Sequence, residues 1–233
     1  MNSSKFLKSG FEIIYSLFSR RSLVGEHNLP ISGGCILVVN HMSLVDAPLI
    51  LTLIKHPKLS GFIANKYHRN IFFRLIINWA ASGAGGVVWV RRGTADRSAL
   101  TAALKALESG VMLGIAPEGT RSRTGGLQSP KAGIAFLATK ANVPIVPAVM
   151  IGTDKAFAEL KRFRRPRLIL KVGPPFRLEP IARKERATQL QVHTEDIMLR
   201  LAALLPEKYR GVYTDHPRLK YFLEWAAKDG LED

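Results

Sequence analysis

Short apolar and β-branched runs alternate along the chain with longer stretches of helical periodicity, and this alternation predicts an α/β layer fold rather than separate all-α and all-β parts. Strands are predicted at 36–40, 61–64, 86–90, 111–116, 145–151 and 168–172, each a short run dominated by apolar residues. Helices are predicted between them, near 47–55, 71–81, 95–109 and 131–141. Gly33-Gly34 and Gly125-Gly126 mark turns, and Pro174-Pro175 ends the last strand. Beyond that point the pattern is helical from about 183 to 205, Pro206 stops it, and a last helix is expected over 217–228.

The first residues follow a different logic. Phe6 or Leu7, Phe11, Ile14, and Leu17 or Phe18 recur at helical spacing, with Lys5, Lys8, Arg20 and Arg21 around them. A basic amphipathic helix of this kind can lie in a membrane interface, and the same periodicity serves equally well for a helix packed on the domain's own core. The opening Met1-Asn2-Ser3-Ser4-Lys5 leads into no long apolar region with a small-residue cleavage site, so no signal peptide is expected. The apolar stretches at 49–54 and 71–79 fall far short of the roughly 20 residues that span a bilayer, so no transmembrane helix is expected.

Charge narrows the choice of partners. With 34 Lys plus Arg against 18 Asp plus Glu, the 233-residue chain carries a formal net charge of +16, which suits a polyanion: nucleic acid, an anionic membrane or an acidic carrier protein. No recognition helix or aromatic RNA-binding pattern is visible, so nucleic acid is not the expected partner. The cluster Lys161-Arg162-Phe163-Arg164-Arg165-Pro166-Arg167 is either a solvated loop or a contact for anionic lipid headgroups. The single cysteine, Cys35, cannot form an internal disulfide and is expected to be buried beside its apolar neighbours.

The candidate chemistry sits at the ends of the predicted strands. His41 directly follows one strand, and Asp46 opens the next helix, since Pro48 is tolerated only within a first turn. Ligands of open α/β sheets bind at such carboxyl ends. The intervening turn lets Asp46 fold back on the imidazole, so that His41 takes a proton from an attacking hydroxyl while Asp46 holds the other ring N–H. A second block, Ala116 to Ser122, should open on the same sheet edge. There Gly119 permits close backbone approach, Thr120 and Ser122 offer hydroxyls, and Arg121 offers a planar fork for phosphate. Glu118 in the same block suits a glycerol hydroxyl, the orientation of Arg121 or a surface lysine. Arg91-Arg92-Gly93 and Lys66 bring further positive charge to strand ends, and Thr94 is the expected cap of the helix that follows. No second His or Cys stands near His41 and Asp46 at metal-ligand spacing, so no metal is expected.

These residues resemble the lysophosphatidate and glycerophosphate acyltransferase family, also called PlsC-like. The stretch from Asn40-His41 to Asp46 is similar to its His-x4-Asp block, Gly86 to Gly93 to its second block with Arg92 as the final arginine, Pro117 to Ser122 to its third, and Val143 to Pro147 to its fourth. The resemblance implies a single domain with a mixed, mostly parallel sheet flanked by helices. It also implies direct acyl transfer without an acyl-enzyme: His41 as base, Asp46 as its partner, and Lys66, Arg92, Glu118, Gly119, Thr120 and Arg121 placing the acceptor. It carries with it 1-acylglycerol 3-phosphate as acceptor, with another lysophospholipid or a glycolipid as the alternative, acyl-CoA or acyl-carrier protein as donor with no other cofactor, and a peripheral position on the cytoplasmic face of an anionic membrane. The organisation expected is a membrane-surface helix in 1–28, a catalytic core in 29–178 and a helical extension packed on the core in 179–233. Two positions depart from the family pattern: Ala116 replaces an aromatic residue before Pro-Glu-Gly, and Arg91 replaces an acidic one.

Overall fold

The computed structural model describes residues 3–64, 71, 87–90, 96–131, 133–181 and 185–231. Lys66, Arg91, Arg92 and Thr94 lie outside the described residues, as does all but Ile71 of the helix expected at 71–81.

The strands are β1 (Arg20–Val24), β2 (Cys35–Val39), β3 (Leu59–Ala64), β4 (Val88–Val90), β5 (Met112–Ile115), β6 (Ile145–Ile151) and β7 (Arg167–Val172). They form one sheet in the order β1-β7-β6-β2-β5-β3-β4. Every neighbouring pair is parallel except β6 with β7. The mixed, mostly parallel sheet implied by the family resemblance is therefore present. All five residues of β2 are buried, as a parallel strand covered on both faces requires. Its side chains alternate: Ile36 and Val38 enter one apolar cluster, while Cys35, Leu37 and Val39 enter the other. Burial pushes the Cys35 thiol up to about 12.

The helices are α1 (Ser3–Phe18), α2 (Asp46–Leu53), α3 (Arg97–Glu108), α4 (Ile134–Ala141), α5 (Ala156–Lys161), α6 (Arg186–Leu204) and α7 (Leu219–Ala227). One face of the sheet is covered by α3, α4, α6 and α7, with every residue of α6 from Ile197 to Leu204 buried except Arg200. The guanidinium of Arg200 on α6 stacks 3.9 Å from the ring centre of Phe176 and 4.9 Å from that of Phe222 on α7, binding the C-terminal helices to the core. The cap of α3 is Asp96 rather than Thr94: its carboxylate accepts the Ala99 N–H at 3.2 Å, and the helix starts two residues later than expected.

The opposite face carries α1, α2 and α5. Phe11 and Tyr15 of α1 pack toward the core, and the Tyr15 hydroxyl donates to the Val45 carbonyl at 2.7 Å. Ile13, Ile14, Leu17 and Phe18 stay exposed, so the apolar residues of this helix are divided between two faces. The sequence pattern did not point to β1. As an edge strand it alternates exposed and half-buried positions and opens with two arginines, so it has no apolar run to read.

Candidate active site

Asn40 marks the carboxyl end of β2 and is buried. Its side chain donates to the Met150 carbonyl at 3.0 Å and accepts the Met150 N–H at 2.7 Å, continuing the pairing with β6 one step past the strand. That clamp fixes where the chain leaves the sheet. The next residue, His41, begins the turn into α2.

Asp46, the first residue of α2, closes the turn. One of its oxygens, Oδ2, accepts three bonds: from the backbone N–H of Met42 at 2.7 Å, from that of Ser43 at 2.8 Å, and from His41 Nδ1 at 2.7 Å. The five-residue separation of His41 and Asp46 follows from this geometry, because a carboxylate at the start of a helix caps the turn before it and meets the ring in the same place. Asp46 is 2 % exposed, while the imidazole keeps 28 %. With Nδ1 bonded to a carboxylate, the proton belongs on Nδ1 and the lone pair on Nε2. The second carboxylate oxygen, Oδ1, is buried without a hydrogen-bond partner among the described residues.

The block after β5 reaches the same place. Because β5 lies beside β2 and runs parallel to it, both chains leave the sheet on one edge, and they are laced together through His41. The His41 N–H donates to Glu118 Oε1 at 3.2 Å, and the His41 carbonyl accepts the Ser122 N–H at 2.7 Å. Glu118 Oε2 accepts the Gln128 N–H at 3.0 Å. Glu118 is 2 % exposed, and both of its oxygens face backbone donors. The sequence offered Glu118 a glycerol hydroxyl, the orientation of Arg121 or a surface lysine; the structure adds a further role, a bolt between two loops, buried where backbone N–H groups need an acceptor. Loss of water raises its carboxyl above the usual range, an effect opposed by the bonds from Gln128 and His41.

Gly119 adopts φ +65, a left-handed conformation, and a Cβ there would stand 3.0 Å from Lys131 Cδ. The left-handed turn thus favours glycine, and a side chain there would also have to displace the lysine stem laid across it. Thr120 is half-buried and Arg121 exposed at the rim. Ser122 Oγ donates to the Gly126 carbonyl at 2.6 Å and accepts from Gln128 Nε2 at 3.4 Å, so this hydroxyl is engaged in shaping the loop. Sequence reasoning singled out neither Lys131, Gln128 nor Tyr15, and named Asn40 only as the first residue of the His-x4-Asp block. Lys131 carried a signal as a cation 12 positions after Gly119 at the start of an expected helix. Among the described residues no three His, Cys, Asp or Glu side chains converge as they would around a metal ion.

A buried carboxylate holding a half-open imidazole at the carboxyl edge of an open α/β sheet is the layout of a general-base enzyme, able to take a proton from a bound hydroxyl. A family model described as Acyltransferase matches residues 20–151, and the chain belongs to that family. A chloroplastic 1-acyl-sn-glycerol-3-phosphate acyltransferase of Brassica napus is 34 % identical over 140 residues, covering 59 % of this chain and 39 % of that protein. An enzyme of the same name from Ovis aries, the alpha form, is 29 % identical over 160 residues, covering 65 % of this chain and 52 % of the relative. The chain thus spans about half the length, or less, of these relatives. The crystal structure of PlsC, the 1-acyl-sn-glycerophosphate acyltransferase of Thermotoga maritima, superposes with a TM-score of 0.61 at 26 % identity, covering 83 % of this chain and 77 % of that one.

Proposed function

We propose that this chain transfers a fatty acyl group from a thioester to the free hydroxyl of 1-acylglycerol 3-phosphate, giving phosphatidate. The observation that carries the reading is the bond between His41 Nδ1 and a buried Asp46, which leaves the lone pair on Nε2, beside a loop bonded to His41 that carries the exposed Arg121 and Lys131. Nε2 takes the proton of the acceptor hydroxyl as its oxygen attacks the thioester carbonyl carbon. The tetrahedral intermediate then expels the thiolate, which takes the proton from the imidazolium and leaves as a thiol. Asp46 stabilises the imidazolium between the two steps. Arg121 and Lys131, with Arg92 and Lys66, supply the positive charge that receives the acceptor's phosphate. The donor is acyl-CoA or acyl-carrier protein, and no further cofactor takes part.

The names of the relatives support the acceptor, and the composition supports the place of work. Among the described residues no helix is long and apolar enough to cross a membrane. A two-chain product belongs in a bilayer, and the reading places the enzyme on the cytoplasmic face of an anionic membrane, held by α1 and by charge. The test mixes purified protein with lysophosphatidate and an acyl thioester and follows phosphatidate. His41→Ala should lose about 10²- to 10⁴-fold in rate. Full activity in His41→Ala overturns the mechanism, and transfer to other lysophospholipids but not to lysophosphatidate overturns the acceptor.

A further inference from the structure

The turn between α5 and β7 carries a side chain that the fold itself does not call for. Phe163 is 100 % exposed and adopts φ 56. The turn is a Schellman-type helix end: the Phe163 N–H donates to the Leu160 carbonyl and the Arg164 N–H to the Glu159 carbonyl, each at 3.0 Å. The left-handed position of such an end is glycine's, or less often asparagine's, because a Cβ there is strained. A bulky aromatic holds it here, with no apolar burial in return. Its neighbours Lys161, Arg162, Arg164, Arg165 and Arg167 are all exposed.

This turn is fastened to α1. A guanidinium nitrogen of Arg165 donates to the carbonyls of Ser16 at 2.5 Å and Ser19 at 2.9 Å, neutralising the carbonyl end of the helix, and the Arg20 N–H donates to the Pro166 carbonyl. The last turns of α1 expose Ile13, Ile14, Leu17 and Phe18. The turn that carries Phe163 is therefore tied to the end of α1 through Arg165, and Glu159, 3.8 Å from Arg162, is the acid within the turn.

We infer that the α5–β7 turn is a second membrane contact: Phe163 enters the acyl region of an anionic bilayer while Arg162, Arg164 and Lys161 meet lipid phosphates. This rests on the reading of the substrate as a membrane lipid. Apolar tips among cations match a surface that is greasy within and anionic at its face. The geometry also bears on the active site. Tyr15, on the inward face of α1, bonds Val45 beside Asp46, and Leu44 in the same turn is exposed, so the docked helix lies directly against the His41–Asp46 turn.

Phe163→Asn tests the inference, because asparagine tolerates the left-handed backbone and the variant should melt no lower than wild type. Partitioning is measured by co-sedimentation with vesicles of phosphatidylcholine and phosphatidylglycerol at 7:3, and with pure phosphatidylcholine. Phe163→Asn should bind the anionic vesicles about tenfold more weakly, and Arg162→Gln with Arg164→Gln should flatten the salt dependence of binding. Binding of Phe163→Asn within twofold of wild type overturns the inference, as does failure of the wild type to bind anionic vesicles. A wild-type dimer that Phe163→Asn turns into a monomer also overturns it, by making the surface a contact between copies. Acyl transfer to a dispersed short-chain lysophosphatidate, without vesicles, should be the same in Phe163→Asn and wild type. Absence of that activity in the wild type overturns the proposed reaction and leaves the vesicle result standing.

Discussion

Asp46→Asn removes one charge from the turn and little else. The amide carbonyl can take the place of Oδ2 as acceptor for Met42 and Ser43, so the backbone of the turn is kept, with neutral bonds in place of charge-assisted ones. That exchange costs about 1 kcal/mol per bond, about 2 kcal/mol together, and lowers Tm by about 4–8 °C in a chain of this size. The catalytic loss is larger. A carboxylate bonded at 2.7 Å to Nδ1 has its charge centre roughly 5 Å from that of the imidazolium, and at an effective dielectric of about 20 their attraction is about 3 kcal/mol. Removing it slows proton abstraction by about two orders of magnitude. Where the amide NH2 turns toward the ring instead, it selects the wrong tautomer, and the loss approaches about 10⁴-fold. The assay follows release of free thiol from an acyl-CoA at saturating acceptor, with a thermal melt run in parallel. A kcat within threefold of wild type would refute the role given to Asp46. A large fall in kcat with a melt far below the expected range would show instead that the turn had collapsed.

Glu118→Gln should leave either His41 N–H or Gln128 N–H without an acceptor and cost about 1–3 kcal/mol in chemical denaturation. The same variant tests the raised carboxyl. A carboxyl whose pKa is raised by folding contributes most below the unfolded value of 4.5 and loses that contribution as pH rises through the folded value. Wild type should therefore gain on Glu118→Gln as pH is lowered from 7 toward 4.5, and a difference that does not vary with pH contradicts the burial argument. Gly119→Ala puts a Cβ at φ +65 against the Lys131 stem and should cost about 1–2 kcal/mol, read as a lower Tm; an unchanged Tm would mean the turn has room to shift. Asn40→Ala strands the Met150 N–H and carbonyl in the interior and should cost between about 2 and 5 kcal/mol, whereas a loss below about 1 kcal/mol would show that β6 does not need the clamp.

The elements that carry the site were legible because their signals are local. The run Ile36 to Val39 reads as a buried strand, the turn residues after it follow at once, and Pro48 fixes how late α2 can begin. His41 and Asp46 are five positions apart, so the turn that joins them is also what brings them together. β6 spans the residues expected of it because its seven residues form an unbroken apolar run, six of them buried, bounded by Pro144 and Gly152. Where the pattern is weak, the sequence was silent. β1 is a short edge strand made of charged and half-buried residues, and α5, at 6 residues, is shorter than two helical turns, so neither has enough periodicity to announce itself.

By itself, then, the sequence determined the alternation of strand and helix, the fully buried central strand and the pairing of an imidazole with a carboxylate across one turn. Each of these depends on residues within a few positions of one another. Only the tertiary structure decided that Glu118 supports His41 from 77 positions away, that Asn40 grips Met150 across 110, and that Tyr15 ties α1 to Val45. A carboxylate, an amide or a hydroxyl has the same appearance in a sequence whether it meets a substrate or an unpaired backbone group. Which of the two it meets is set by the order of strands in the sheet, which places β5 and β6 on either side of β2, and local pattern carries no record of that order.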